Sequence, residues 1–213
     1  MKLIDLTHPL VHNQPSFPGD PVLSIKPFAG FAESGYTTTR FAMGSHQGTH
    51  LDAPFHFIRD GQTVDRIPLE ILYGPAALAD LAPGGSLGKG ATITPEMLQH
   101  DAAIFTEGAR VLLRTGWDRE FGAAGFFEEY PSLTVEAARW IAARGVILLG
   151  MDMPSPAVAY REVHEVLLGA GVVIVEALAN LGDLPPRFTF IGLPLKLKGR
   201  DGSPIRAAAA VDG

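Results

Sequence analysis

The chain contains no cysteine. Disulfides, thiolate metal sites and a cysteine nucleophile are thereby excluded, and the composition fits a reducing compartment. It also lacks any run of lysine or arginine: 17 basic residues face 23 acidic ones, for a net charge of −6. Nucleic acid and anionic membrane surfaces are poor partners for such a surface. No apolar run reaches the roughly 20 residues that span a bilayer. The first residues, Met1-Lys2-Leu3-Ile4-Asp5, set an acid where a signal peptide needs an apolar stretch. The expectation is a soluble cytoplasmic protein. No internal repeat or low-complexity linker marks a boundary, so residues 1–213 are expected to form one domain.

Hydrophobic residues make up 46% of the 213, enough for a sizeable core, and 24 glycines with 17 prolines imply many turns between apolar segments. Residues 4–6, 22–25, 36–42, 76–81, 110–114, 146–149, 172–175, 188–197 and 205–211 read as strands. Thr94-Pro95-Glu96 is a helix start, with Thr at the cap and Pro in the first turn. Residues 134–144 read as a helix capped by Thr134 and closed by Gly145, and 160–168 as a helix closed by Gly169 and Gly171. Strands and helices mix without strict alternation. The expected class is α/β, a compact single domain with a mixed, partly closed barrel-like sheet.

The chemistry concentrates in one place. Three of the seven histidines, His46, His50 and His56, fall together with Asp52 inside the segment 46–56. Imidazoles and a carboxylate are a standard nitrogen and oxygen donor set for zinc or manganese. On a straight strand, residues four apart stand roughly 13 Å from each other, too far for one ion. On a helix, Asp52 would point about 240° away from His46, and Gly48 and Pro54 disfavour a helix. The segment must therefore bend, with Gly48 permitting it. Surface or turn-capping histidines are the alternative, and the dense spacing weighs against it.

His164 and Glu176 form a second pair. From His164 to its helix end is roughly 9 Å of rise, and the following strand runs back roughly 13 Å to Glu176. The two side chains can come level. A carboxylate following Val172-Val173-Ile174-Val175 is costly to bury unless paired or bound to metal. Spacing alone leaves open the alternative of an exposed Glu and a helix-surface His. Phe17, Phe55 and Phe57 are candidates to line an apolar pocket, or else ordinary core residues. His8, His12 and His100 lack partners at informative spacing. Asp152 reads as a turn cap, or a support for a metal ligand. Gly84-Gly85-Ser86 and Gly88-Lys89-Gly90 do not complete a phosphate loop, and Ser45 and Ser155 have no nucleophile-elbow context.

The segment 46–56 resembles the signature of the metal-dependent cyclase family of hydrolases, which includes bacterial kynurenine formamidase and isatin hydrolase. Phe17-Pro18-Gly19-Asp20, Leu112-Leu113-Arg114-Thr115-Gly116, Leu193-Pro194-Leu195-Lys196 and Gly202-Ser203-Pro204-Ile205-Arg206-Ala207 resemble further family segments. The resemblance implies a barrel-like sheet flanked by helices and a homodimer or homotetramer. It implies that His46, His50 and Asp52 hold a first metal, with Asp52 able to bridge. It implies that His164 and Glu176 hold a second, and that His56 is the catalytic acid/base. Two divalent ions are expected, zinc foremost, with manganese or cobalt also suited to the donor set. The implied activity is hydrolysis of a C–N bond (amide, formamide or lactam) or an ester in a small cyclic or aromatic substrate, most like an arylformamidase. Lactam opening of the isatin-hydrolase kind is the nearest alternative. The same centre would also suit dehydration or ring closure, and a structural metal site is the non-enzyme alternative.

Overall fold

The computed structural model describes residues 1–211. Nine strands form the principal sheet: β1 (Lys2–Asp5), β4 (His50–Asp52), β5 (Tyr73–Asp80), β7 (Arg110–Arg114), β9 (Leu148–Met151), β10 (Val173–Glu176), β11 (Arg187–Ile191), β12 (Gly202–Pro204) and β13 (Ala208–Val211), in the spatial order β1-β13-β11-β5-β7-β9-β10-β4-β12. The hairpin β2 (Ser24–Ala29) and β3 (Thr38–Ala42) stands apart, as does a short parallel pair, β6 (Thr92–Ile93) with β8 (Ser132–Leu133). The helices are α1 (Phe31–Ser34), α2 (Leu69–Leu72), α3 (Pro95–Gln99), α4 (Val135–Ala142) and α5 (Tyr160–Gly169). None is long and apolar enough to cross a membrane.

β5, β7, β9 and β10 are mutually parallel, and the flanking pairings are antiparallel. Parallel neighbours need long crossovers, and these carry α3, α4 and α5. The mixed sheet curls into a half-barrel flanked by helices. One core lies between sheet and helices and contains Leu113, Ile141, Leu149, Val163 and Ile174. The other fills the opposite face with Leu51, Leu112, Val173, Val175 and Phe190. β10 feeds both by simple alternation: Ile174 faces the helices, while Val173 and Val175 face away.

Local signals explain the firmest elements. Thr134 accepts a hydrogen bond from the Ala137 N–H at 3.0 Å, capping α4, and Gly145 turns the chain with φ +70°. α5 buries Val163, His164, Leu167 and Leu168 on one face. Four expected runs shift. The run 188–197 leaves the sheet at Ile191, and Pro194 makes only an isolated bridge to Ile205, because proline cannot donate to a ladder. The run 205–211 splits, with pairing resuming at Ala208. Residues 22–25 and 146–149 pair later than the apolar pattern implies, from Ser24 and Leu148.

The sheet face away from the helices packs closely at Gly150. A Cβ there would lie 2.3 Å from Leu112 Cδ2 and 2.9 Å from Leu178 Cδ1. Gly150→Ala is expected to cost about 1–3 kcal/mol through overpacking, whereas Gly88→Ala, with open space around it, should be near neutral. Denaturant unfolding of both variants checks this; equal stabilities would show that β9 gives way easily.

Candidate metal centre

The antiparallel ladder between β10 and β4 sets Glu176 opposite His50 and Ile174 opposite Asp52. Within β4, Leu51 enters the core away from the helices, so His50 and Asp52, two residues apart, share the face beneath α5. β12 pairs on the other side of β4 and leaves all three of its residues buried. His46 lies outside the strand. The chain bends at Gly48, φ +63°, and brings the His46 ring back over Asp52. The bend required by spacing is thus observed. α5 contributes His164 from its buried face, directly above Glu176.

The resulting contacts are short. His46 Nδ1 lies 2.7 Å from Asp52 Oδ1, and His50 Nε2 lies 3.4 Å from the same oxygen. His164 Nε2 is 3.4 Å from Asp52 Oδ2. Glu176 divides likewise, with Oε2 3.2 Å from His50 Nε2 and Oε1 3.2 Å from His164 Nε2. His56 closes a short 3-10 turn, Pro54–His56, and stacks on His46 with centroids 3.9 Å apart. Its Nδ1 is 3.9 Å from Asp201 Oδ2, beyond hydrogen-bond reach.

Asp201 is the residue that sequence reasoning missed. Its carboxylate accepts from His46 Nε2 at 2.7 Å and from the Ser45 hydroxyl at 2.8 Å. It lies 155 positions from His46, next to the recognised Gly202-Ser203-Pro204 segment, and that adjacency was its one sequence signal. Gly202 is needed beside it: a Cβ there would sit 2.6 Å from Leu51 O and 2.9 Å from His46 Cε1.

The donors fit a cation. Each of three imidazoles commits one nitrogen outward: His46 Nε2 donates to Asp201, His50 Nδ1 to Gly48 O at 2.8 Å, and His164 Nδ1 to Tyr160 O at 2.8 Å. That leaves His46 Nδ1, His50 Nε2 and His164 Nε2 aimed at the carboxylates, the arrangement by which outer partners orient metal-binding imidazoles. Asp52 Oδ2 and His50 Nε2 are buried without a hydrogen bond despite their near neighbours. Buried polar atoms left so are expensive, and a divalent ion would satisfy both. Two compact groupings can hold an ion, His46/Asp52/His56 and His50/Asp52/Glu176. Asp52 belongs to both. The observed geometry places His56 within the first grouping, and joins His50 to Glu176 as closely as to Asp52.

A cavity of about 240 Å³ opens onto these groups. Phe17 and Phe57 line it, with Phe121, Phe126, Phe127 and Tyr160. Phe57 stacks on His164 at 4.5 Å, and Phe17 meets Phe127 and Tyr160 edge-on. The Ser16 hydroxyl donates to Gln47 Oε1 at 2.5 Å, tying the Phe17 loop to the histidine segment. Phe55 does not line the cavity and is 38% exposed. Successive residues of a 3-10 turn point about 120° apart, so the turn that aims His56 inward sends Phe55 outward. Asp152 accepts from Thr115 N, Thr115 Oγ1 and Gly116 N, a turn-capping role, and burial pushes its carboxyl up to about 6. His8 stacks on Phe121, His12 Nδ1 accepts from Ile25 N, and His100 is exposed.

The family model described as putative cyclase matches residues 4–158. The chain belongs to the cyclase family. Relatives of this cyclase chain include a kynurenine formamidase of Bacillus cereus, 33% identical over 209 residues and covering 96% of this chain and 95% of that protein. One from Geobacillus thermodenitrificans is 33% identical over 210 residues, with the same coverage. Among solved structures, isatin hydrolase A from Labrenzia aggregata, bound to benzyl benzoate, superposes with a TM-score of 0.84 at 29% identity, covering 98% of this chain and 93% of that one. A protein described as a potential metal-dependent hydrolase with cyclase activity gives 0.80 at 31% identity, covering 98% and 96%. The cyclase chain is accordingly an enzyme, a metal-dependent hydrolase of the kind that acts on C–N bonds other than peptide bonds.

Without a cation, protons must balance the buried carboxylates. Burial pulls the His46 imidazole down, but Asp52 and Asp201 outweigh it and raise its pKa to about 9. Burial likewise opposes His164, yet Asp52 and Glu176 raise it to about 10. A pKa raised above its ordinary 6.5 gives stability that is full below 6.5 and lost as pH rises through the folded value. The metal-free cyclase should therefore lose thermal stability between pH 6.5 and about 10. The metal-loaded form should not, because the cation replaces those protons. Melting curves with chelator and with added zinc check this; a flat metal-free profile would rule the proton balance out. Asp201→Asn should weaken metal binding about 10–100-fold while leaving the fold intact, as read by competition with a chromophoric chelator.

Proposed function

We propose that this cyclase-family enzyme hydrolyses the amide, formamide or lactam C–N bond, or an ester bond, of a small cyclic or aromatic substrate, most like an arylformamidase. One observation carries the reading: of the four histidines in the cluster, His56 alone stands outside hydrogen-bond reach of a carboxylate. Burial lowers its pKa below 6.5, with the charge of Asp52 opposing and that of His46 assisting. It is therefore neutral near pH 7 and faces the cavity, ready to take a proton.

His46, His50 and Asp52 would hold one divalent ion, and His164 and Glu176 a second, with Asp52 close to both sets of ligands. Zinc is our first choice, with manganese or cobalt suited to the same donors. When bound, such ions acidify water and polarise a carbonyl. The protein supplies the rest. His56 takes a proton from the attacking water and delivers it to the leaving nitrogen or oxygen. Asp201, through His46, fixes the ring on which His56 stacks. The aromatic wall formed by Phe17, Phe57 and Tyr160 excludes water and orients a flat substrate. The kynurenine formamidase and isatin hydrolase relatives support an aromatic amide or lactam. We place the enzyme in the cytoplasm as a homodimer or homotetramer. The exposed Phe28, Phe31 and Phe41 around the β2–β3 hairpin support self-association.

His56→Ala should leave metal content near wild type and lower kcat for an arylformamide by about 10² or more. It should also abolish the acid limb of the pH–rate profile, which lies below 6.5 in the wild type. Metal analysis with steady-state kinetics provides the measurement. Unchanged turnover would remove His56 from proton transfer.

A further inference from the structure

β10 ends at Glu176, and the next residue breaks the strand sharply: Ala177 has a φ of +50°. Among the described residues Asn13 and Asn180 are the other non-glycine positions with a positive φ. Asparagine tolerates that region because its short amide hydrogen-bonds locally, whereas alanine bears the full steric cost of its Cβ. Such a residue persists only where its surroundings fix it.

Two contacts fix Ala177. Its N–H donates to Met153 O at 2.8 Å, and its carbonyl accepts from the Thr49 hydroxyl at 2.6 Å. Both residues are buried. Thr49 immediately precedes His50, and Ala177 immediately follows Glu176. The hydroxyl therefore adds a rung at the point where the β4–β10 ladder stops, at the pair His50 and Glu176. The His8 N–H donates to the same hydroxyl at 3.0 Å. A hydroxyl has a single proton, and with His8 as its donor that proton goes to Ala177 O. Loss of this bond would leave the Ala177 carbonyl buried without its partner and release the residue toward negative φ. Either change works back on Glu176, whose two oxygens each stand 3.2 Å from an imidazole nitrogen, of His50 and of His164.

We infer that Thr49 is a positioning residue: its hydroxyl holds Ala177 in the left-handed conformation and thereby sets the Glu176 carboxylate against His50 and His164. The inference rests on the reading above in which Glu176 is a metal ligand, and it adds a residue that binds no metal itself.

Cobalt(II) titration of the metal-free protein tests it, followed by visible absorption and by competition with a chromophoric chelator. Thr49→Val keeps the shape of the side chain and removes the hydroxyl. It should weaken cobalt binding about tenfold or more and alter the visible band, while Thr49→Ser, which keeps the hydroxyl, should stay within about threefold of wild type. Ala177→Gly removes the strain, since glycine takes a positive φ freely. Alone it should bind cobalt as wild type does, and combined with Thr49→Val it should recover most of the lost affinity. Wild-type affinity in Thr49→Val, an equal loss in Thr49→Ser, or a double variant no better than Thr49→Val overturns the inference. If Thr49→Val does not fold, the double variant must fold and bind cobalt for the inference to stand. A wild type that takes up no cobalt overturns the metal reading by itself. Imidazole nitrogen NMR of His50 and His164 in the metal-free protein then decides: shifts in Thr49→Val that Ala177→Gly reverses support the positioning role, and unmoved signals overturn it.

Discussion

Asp52 is completely buried, and three imidazoles converge on its two oxygens. A carboxylate in that position cannot exist without compensating positive charge, and most of the surrounding architecture serves to deliver it. β4 holds Asp52 and His50 on one face, while β10 brings Glu176 into register opposite. The crossover from β9 to β10 lays His164 over both. Remove the alternation of β4, or slip its register by one residue, and Asp52 would enter the core that Leu51 now occupies. The identity of the site and the register of the sheet edge are one constraint.

The compensating charge has two possible sources, and the structure distinguishes them. Protons on the imidazoles can balance Asp52 and Glu176, which is why His46, His50 and His164 are all held above their ordinary values. Protons do not account for the outward nitrogens, however. Three separate acceptors, Asp201, Gly48 O and Tyr160 O, each fix one imidazole so that its other nitrogen points inward. A site needing only charge balance has no use for such orientation, whereas a coordination shell depends on it. Asp52 Oδ2 and His50 Nε2, buried and unbonded, say the same from the opposite direction.

Much of this was legible before any coordinates. The four groups in 46–56 carry offsets that neither a strand nor a helix can gather, so the bend was forced, and Gly48 was its evident pivot. The rise of a helix and the return of a strand allowed His164 and Glu176 to come level, but spacing alone left an exposed Glu and a helix-surface His equally open, and the family resemblance favoured the pair. β7 and α4 were legible because apolar content and end signals agreed. What was not legible depends on distant partners. Asp201 meets His46 across most of the chain, and no local period announces it. β6 and β8 are two residues each and exist only because they pair. Phe55 and Phe57 look alike in sequence, and only the rotation of the 3-10 turn separates them.

His56 shows how the same side chain acquires a different environment. It shares a segment with His46 and His50 and stacks directly on His46. Its neighbours are nevertheless aromatic rings and other imidazoles, and the closest carboxylate oxygen stands 3.9 Å off. Burial among rings pushes an imidazole toward neutrality, while contact with a carboxylate pushes it toward charge. The fold applies the first to His56 and the second to its neighbours, and so gives His56 the neutral state that the proposed proton transfer needs while its neighbours hold charge in place. That separation requires the stacking contact: His46, pinned by Asp201, presents a face and not a nitrogen to His56. The carboxylate farthest away in sequence is therefore the one that keeps His56 different from the histidine ten residues before it.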